Sequence, residues 1–273
     1  MRVPFDKMHG AGNDFVVLDR RDAGDPLTPA QIALICDRHR GIGCDQLLTI
    51  EPPRSEDSAL SYGIWNADGS RAGQCGNGAR CVAAWARREG LIRDEALRMD
   101  SPAGPVLARF LSDVIELELG VPDFRAEAVP FLGVQHRAAL DFAGREWPFT
   151  ALSMGNPHVV LEVNDVAAAP VAALGAALQA DPRFPDSCNV GFAEVVHHRQ
   201  IRLRVFERGA GETLACGSGA CAAVAALTRR GRIGRDVAVD LPGGRLQIDW
   251  PGDGQPVRMA GPACFVFQGV IEL

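Results

Sequence analysis

Lysine is almost absent from this chain, since Lys7 is the only lysine among its 28 basic residues. A pyridoxal-phosphate enzyme needs a lysine to form its Schiff base. Lys7 lies beside a predicted strand, with no phosphate-binding loop next to it. Any amino-acid chemistry of this protein is therefore predicted to need no cofactor.

The chain also has little that points to export, a membrane or a nucleic acid. Its N-terminal segment has no apolar core of a signal peptide, and no apolar run approaches the roughly 20 residues that a membrane helix needs. A net charge of −6 argues against nucleic acid or an anionic membrane as a partner. We therefore expect a cytoplasmic protein whose eight cysteines are reduced.

Metal-binding and phosphate-binding motifs are missing as well. No two cysteines form a Cys-x-x-Cys motif, and no cysteine–histidine cluster has the spacing of zinc ligands. The glycine-rich segments lack the Lys-Ser/Thr pair of a P-loop. The sequence predicts no metal site.

Two similar segments place a cysteine before Gly-x-Gly, at Cys75 and at Cys216. Each runs into an alanine-rich stretch that predicts a buried helix, and a glycine follows the end of each helix, at Gly90 and Gly231. Each cysteine therefore lies at the N-terminus of a predicted helix. There the unpaired N–H groups and the helix dipole favour a thiolate or a bound carboxylate.

The similarity between the two halves extends well beyond the cysteines. The matching segments are 12–18 with 155–161, 46–47 with 189–190, 65–66 with 206–207, Gly90 with Gly231, and 100–104 with 240–244. These matches occur in the same order, and their offset drifts only from 143 to 140 positions. A period of this length indicates a duplicated domain rather than a solenoid.

The expected fold is α/β (α+β), with two pseudo-symmetric repeated domains. Each is expected to be a curved, mostly antiparallel sheet or barrel wrapped round a central buried helix. The final apolar strand has no counterpart in the first half, so we expect it to complete the first sheet. This assigns 1–121 and 262–273 to an N-terminal domain with Cys75, and 122–261 to a C-terminal domain with Cys216.

If the two domains face each other across a pseudo-two-fold axis, both helix N-termini meet at the interface, which is then the expected active site. The N–H groups there would hold one carboxylate of a ligand, and they belong to Gly76, Asn77, Gly217 and Ser218. The two cysteines would flank one carbon atom, so that one removes a proton and the other returns one to the opposite face. Such an arrangement predicts a reversible stereo-inversion.

Each of these residues also has an ordinary structural interpretation. A single Cys-Gly-x-Gly is weak evidence because most buried cysteines are small core residues, and the repeat is what strengthens it. His158 would usually be structural, but it follows the repeated Gly-Asn loop. Glu207 would usually be a solvated charge, but it precedes Cys216 by nine residues, as Asn66 precedes Cys75.

Taken together, these motifs resemble the diaminopimelate epimerases. The matching segments are 8–15, 45–48, 66–70, 74–80, 153–158, 189–192, 207–213 and 215–222. The resemblance spans nearly the whole chain. It implies a cofactor-independent enzyme that converts LL-diaminopimelate into the meso form, for lysine and peptidoglycan precursors.

The resemblance also implies roles for individual residues. Cys75 and Cys216 correspond to the acid/base pair, and His158 and Glu207 to groups that tune the thiols or orient the reacting centre. The expected substrate-binding set is Asn13, Gln46, Asn66, Gly76, Asn77, Asn156, Asn189, Glu207, Arg208, Gly217 and Ser218. Arg208 suits the distal carboxylate because a guanidinium binds a carboxylate with two hydrogen bonds.

Three positions depart from the family pattern. Cys44 replaces a common aromatic residue and Cys188 a small one, and we interpret both as packing changes, although either could be an additional reactive thiol. Phe267 stands where many relatives have a tyrosine associated with dimer contacts. Ring packing survives without the hydroxyl group, so we expect a homodimer.

Two other functions are compatible with the motifs. The first is another cofactor-independent racemase of the same fold, acting on histidine or a proline-type substrate. The polar set argues instead for a long dicarboxylate. The second is a thiol redox or metal-binding protein, which predicts bound zinc or dependence on both Cys75 and Cys81. The epimerase hypothesis predicts that Cys75→Ser is nearly inactive and that Cys81→Ser is mild.

Overall fold

The computed structural model describes residues 2–22, 25–92, 94–132 and 138–273. The chain forms two compact units. Unit 1 comprises Met1–Glu118 and Ala260–Leu273, and unit 2 comprises Leu119–Met259.

The elements follow one another in the order of the two units. The chain first forms β1 (Arg2–Gly10), β2 (Asn13–Asp19), α1 (Pro29–Cys36), β3 (Gln46–Glu51), β4 (Leu60–Asn66), α2 (Gly76–Arg88), β5 (Ala96–Ser101), β6 (Gly104–Leu111) and β7 (Val114–Glu118). It continues with β8 (Ala139–Phe142), β9 (Arg145–Pro148), β10 (Thr150–Ser153), β11 (Pro157–Glu162), α3 (Val171–Gln179), β12 (Asn189–His197), β13 (Gln200–Glu207), β14 (Gly211–Thr213), α4 (Gly217–Arg229), β15 (Asp236–Leu241), β16 (Gly244–Asp249), β17 (Arg258–Gly261) and β18 (Cys264–Glu272).

The strands pair in the same way in both units. The sheet of unit 1 has the order β7-β6-β5-β4-β3-β2-β1-β18, and that of unit 2 contains β10-β11-β12-β13-β15-β16, with β14 on β13. In unit 1, β1–β2 and β3–β4 are antiparallel while β2–β3 and β4–β5 are parallel. In unit 2, β10–β11 and β12–β13 are antiparallel while β11–β12 and β13–β15 are parallel. The predicted duplication of one α/β unit is therefore confirmed.

The predicted α/β fold class is confirmed too, and of the two expected forms, sheet or barrel, one is observed. Along the described strands each unit has an open strand order, so the sheet rather than the barrel is the observed form. The last strand, β18, pairs antiparallel with β1 from Arg2↔Glu272 to His9↔Cys264. It completes the sheet of unit 1, as predicted.

The central helices α2 and α4 are each 13 residues long and begin at the two repeated cysteines, which are their N-caps. Alanine and glycine dominate the buried face of α4, and small side chains let a helix pack closely while losing little rotamer entropy. Gly90 and Gly231 follow the helices with φ values of 71° and 69°. A left-handed residue of this kind is the usual helix stop, so both predicted ends are confirmed.

The two unusual cysteines lie in the interior. The Cys44 sulfur is 3.4 Å from the Cys36 sulfur, and both residues are buried. Cys188 is also buried, and its sulfur lies 4.0 Å from the carbonyl oxygen of Leu178. These positions agree with packing roles.

None of the helices in the described ranges has the length and apolar composition that crossing a bilayer requires.

Candidate active site

In unit 1 the N-terminus of α2 positions Cys75. The backbone of Cys75 is extended, and its half-buried sulfur accepts a hydrogen bond from the N–H of Gly78 at 3.4 Å. The sulfur also donates to Oδ1 of Asn13 at 3.7 Å. Cys75 therefore has a donor that suits its thiolate form and an acceptor that suits its thiol form.

Strand register brings the other predicted residues of unit 1 to the same end of the sheet. Gln46 begins β3 directly opposite Asn66, the last residue of β4. Nε2 of Gln46 donates to Oδ1 of Asn66 at 3.0 Å, and Nδ2 of Asn66 donates to the Ser70 hydroxyl at 3.0 Å. Because the Ser70 hydroxyl donates to Asp68, it must accept from Asn66. In this series of hydrogen bonds Gln46 uses its Nε2 as a donor, and its Oε1 is the atom that can accept a further hydrogen bond.

A group of charged side chains that the sequence analysis did not identify holds the Asn13 side chain in place. Asp45 accepts from Nδ2 of Asn13 at 2.8 Å and from a guanidinium nitrogen of Arg38 at 2.8 Å. Arg38 and the buried ammonium of Lys7 both bind Asp14. Although burial opposes the shift, hydrogen bonds from Arg38 and Lys7 hold the pKa of Asp14 well below its usual range. The only lysine of the chain is therefore a structural partner of this loop.

In unit 2 the N-terminus of α4 positions Cys216, which is buried. Burial, the charge of Glu207 and a hydrogen bond to Glu207 raise the pKa of Cys216 well above its ordinary value, whereas Ser218 acts in the opposite direction. The Ser218 hydroxyl lies 3.7 Å from the sulfur. The Thr213 hydroxyl donates to Glu207 and holds this carboxylate in place. Cys216 is therefore a protonated thiol at neutral pH.

His158 is buried beside the same strand end. Its Nε2 lies 3.0 Å from Oδ1 of Asn156, and an amide oxygen can only accept, so the proton is on Nε2. Burial and the charge of Arg208 lower the pKa of His158 to about 3. His158 is therefore a neutral imidazole that orients Asn156.

Asn189 and Arg208 form hydrogen bonds with backbone groups of unit 2. Nδ2 of the buried Asn189 donates to the carbonyl of Pro157, and its Oδ1 accepts from the N–H of Arg208. The exposed Arg208 side chain donates to the carbonyl of Asp186 at 2.9 Å. Asn189 thus fixes the ends of two strands, a role that residue type and spacing did not suggest.

The remaining predicted residues lie where the helix motif placed them. Gly76, Asn77, Gly217 and Ser218 are in the first turns of α2 and α4, where backbone N–H groups point out of the helix end. Within the part of the chain that the structure describes, no three histidine, cysteine, aspartate or glutamate side chains are grouped to hold a metal ion.

Comparison with known proteins adds to this geometry. The family model for diaminopimelate epimerase matches residues 5–124 and 150–266. The chain belongs to the diaminopimelate epimerase family. The diaminopimelate epimerase of Xanthomonas axonopodis pv. citri is 58% identical over 98% of this chain and 96% of the relative, and that of Xylella fastidiosa is 53% identical over 97% and 95%. The predicted family is therefore confirmed.

The family relatives include a second activity, and more distant structures share the fold. An O-ureido-serine racemase of Streptomyces lavendulae is 53% identical over 98% of this chain and 94% of its own. A Bacillus anthracis phenazine biosynthesis protein of the PhzF family superposes with a TM-score of 0.73 at 16% identity, covering 100% of both chains. A hydroxyproline epimerase of Agrobacterium vitis gives 0.73 at 15%, over 99% and 92%. These two structures establish the fold alone.

Proposed function

We propose that this member of the family is a diaminopimelate epimerase that inverts LL-diaminopimelate to the meso isomer, without pyridoxal phosphate, for lysine and peptidoglycan synthesis. One observation carries the proposal. Two topologically equivalent units each place a cysteine as the N-cap of a central helix, in a chain 58% identical to a protein of that name.

The proposed mechanism assigns one cysteine of each domain to one substrate carbon. The Cys75 thiolate removes the α-proton from one face, and the Cys216 thiol delivers its proton to the opposite face. Cys75 then ends as the thiol and Cys216 as the thiolate, so the reverse reaction uses the same groups with their roles exchanged. Glu207 supports the starting state because it favours the protonated form of Cys216.

The rest of the substrate is assigned to the polar groups at the two strand ends. First-turn N–H groups of α2 and α4 would hold the carboxylate of the reacting centre, where negative charge develops. Asn13, Gln46, Asn66, Asn156 and Arg208 would bind the remaining ammonium and carboxylate groups. Asn189 would act through the backbone that it holds.

Proton exchange in D₂O tests this proposal. NMR of LL-diaminopimelate with the wild type should show α-deuterium appearing in the meso product. Cys75→Ser and Cys216→Ser should each lose turnover, because a serine hydroxyl group is not ionised near neutral pH to act as the base and is a far weaker acid than a thiol. Cys81→Ser is the matched control, since Cys81 is a buried residue inside α2, and it should remain active.

The relative named O-ureido-serine racemase supports a second candidate function. It has the same identity to this chain, 53%, as several of the diaminopimelate epimerases, so overall similarity does not separate the two substrates. The same exchange assay with O-ureido-serine, histidine and proline distinguishes them. Exchange with O-ureido-serine but not with diaminopimelate would replace the proposed substrate and keep the two-cysteine chemistry.

We also propose a homodimer that forms through β18. This strand exposes Phe265, Val266, Phe267 and Val270, and the Phe267 ring packs edge-on against Phe5 at 5.8 Å between centroids. An apolar row on an edge strand suits pairing with a second copy. Light scattering should give twice the chain mass for the wild type and a monomer for Phe267→Lys.

The proposed compartment is the cytoplasm, where the catalytic thiols stay reduced.

A further inference from the structure

The side-chain amide of Asn13 contacts one group that accepts a hydrogen bond from it and another that donates a hydrogen bond to it. Its Nδ2 donates to the Asp45 carboxylate at 2.8 Å, and its Oδ1 accepts from the Cys75 sulfur at 3.7 Å. An amide can rotate by half a turn and exchange its donor and acceptor ends. What Cys75 meets therefore depends on which groups fix this amide.

Charged groups fix the orientation from both sides. Asp45 can only accept hydrogen bonds, so Nδ2 of Asn13 must face it. On the other side the fully buried Arg80 can only donate, and it donates to Oδ1 of Asn77 at 2.7 Å. Nδ2 of Asn77 therefore faces Oδ1 of Asn13, at 3.3 Å. Both constraints direct the oxygen of Asn13 toward Cys75.

Asp45 is itself held firmly enough to act in this way. Its Oδ1 accepts from Arg38, and its Oδ2 also accepts from the N–H of Asp14 at 3.1 Å. In return, the N–H of Asp45 donates to Oδ1 of Asp14 at 3.0 Å. Arg38 spans both carboxylates. Together these ion pairs and backbone hydrogen bonds restrict the Asp45 carboxylate to a narrow range of orientations.

We propose that Asp45 is a positioning residue, which holds the Asn13 amide with its oxygen toward the Cys75 sulfur and so stabilises the thiol form of that cysteine. The proposal rests on the proposed function, in which Cys75 must exist as a thiol after it has taken the α-proton. Gly78 supplies the partner of the thiolate form. Asp45, through Asn13, secures the partner of the thiol form.

The expected signature is a change in the titration of Cys75. Without Asp45 only the longer contact with Asn77 orients the amide, so the acceptor for the thiol weakens and the thiolate fraction rises. A net hydrogen bond of ordinary strength corresponds to a downward shift of about 0.5 pH unit or more. Two ionisable groups of unit 1 that interact electrostatically with Cys75 are Tyr62 and Cys81, and burial raises the pKa of both, so they are uncharged at neutral pH.

The test measures alkylation by iodoacetamide against pH, with each cysteine followed separately by mass spectrometry. It needs no turnover. Asp45→Ala should lower the midpoint for Cys75, and Asn13→Ala should lower it by a similar amount. Asp45→Asn removes the charge but keeps an oxygen acceptor, so it should restore the wild-type midpoint. Asp19→Ala, at the far end of β2, is the matched control.

The Asn variant separates positioning from simple electrostatics. If the charge of Asp45 acted directly on the sulfur, Asp45→Asn and Asp45→Ala would shift the midpoint equally, and the proposal would be wrong. It would also be wrong if Asp45→Ala still shifted the midpoint in an Asn13→Ala background. If Asp45→Ala does not fold, an unchanged midpoint in Asn13→Ala alone refutes the proposal.

The outcome is distinguishable from failure of the proposed function. Loss of the expected midpoint shifts, with normal epimerisation of diaminopimelate by the wild type, would refute only the role of Asp45. The expected shifts in an enzyme that exchanges no α-proton would refute the proposed function and leave the positioning role intact.

Discussion

Replacing Glu207 with glutamine tests the charge that keeps Cys216 protonated. Burial, the charge of Glu207 and its hydrogen bond raise the pKa of this thiol. Glu207→Gln removes the charge but keeps the size of the side chain and an oxygen that can accept from Thr213. The burial contribution stays, so the change isolates the carboxylate.

The expected shift follows from the contact between the two groups. Two unit charges about 4 Å apart interact by roughly 4 kcal/mol at an effective dielectric constant of about 20, which is about 3 pH units. Glu207 is partly exposed, and solvent screening reduces this value. We therefore expect the titration midpoint of Cys216 to fall by about 1 to 2 pH units.

The assay follows the thiolate of Cys216 by its ultraviolet absorbance from about pH 6 to about pH 10, with Cys216→Ser as the reference, and asks at which pH the thiolate begins to appear. Glu212→Gln is the matched control, because Glu212 lies on the neighbouring strand and pairs with Arg204 in solvent. It should leave the midpoint unchanged. Thiolate absorbance that appears in Glu207→Gln at no lower pH than in the wild type would refute the assigned role of Glu207.

Two further predictions concern stability. In the middle of α3, a Cβ at Gly175 would lie 2.6–2.8 Å from the Phe206 side chain, so Gly175→Ala should lower the thermal midpoint despite a helix-propensity gain of about 1 kcal/mol. Ala176→Gly, at an exposed position of the same helix, measures that propensity, and a more stable Gly175→Ala would contradict the clash. His158 has a pKa of about 3 when folded and about 6.5 when unfolded, so the unfolded state gains a proton first as the pH falls. Stability should drop by about 2 kcal/mol between pH 7 and about pH 5, and urea unfolding should show a smaller drop for His158→Gln.

Local signals in the sequence were sufficient for much of the fold. Thr28 and Gln31 form a capping box at the start of α1, and this pattern is visible in the sequence because capping depends on residues only three apart. The central helices and the glycines that end them were predictable for the same reason. By contrast, β5 (Ala96–Ser101) was not predicted, since its mixed polar and apolar sequence has no strong local signal and forms a strand by pairing with β4 and β6.

The candidate site divides in the same way. The cysteines stand out because a helix N-terminus has a recognisable sequence and because it occurs twice. Asp45 carries no such signal, since the side chain that it contacts, Asn13, is far from it in the sequence. Asn189 was identified as a polar residue, but its contacts with the backbone of two strands depend on the register.

The sequence by itself determined the duplicated unit, the two cysteines at the helix starts and the family, because these rest on residue type and order along the chain. Only the tertiary structure decided the protonation and orientation of the site. Glu207 raises the pKa of Cys216 because strand β13 and helix α4 bring them into contact, and the environment of His158 makes it neutral. Charge, burial and amide orientation depend on distances in space, and the pattern of residues does not contain those distances.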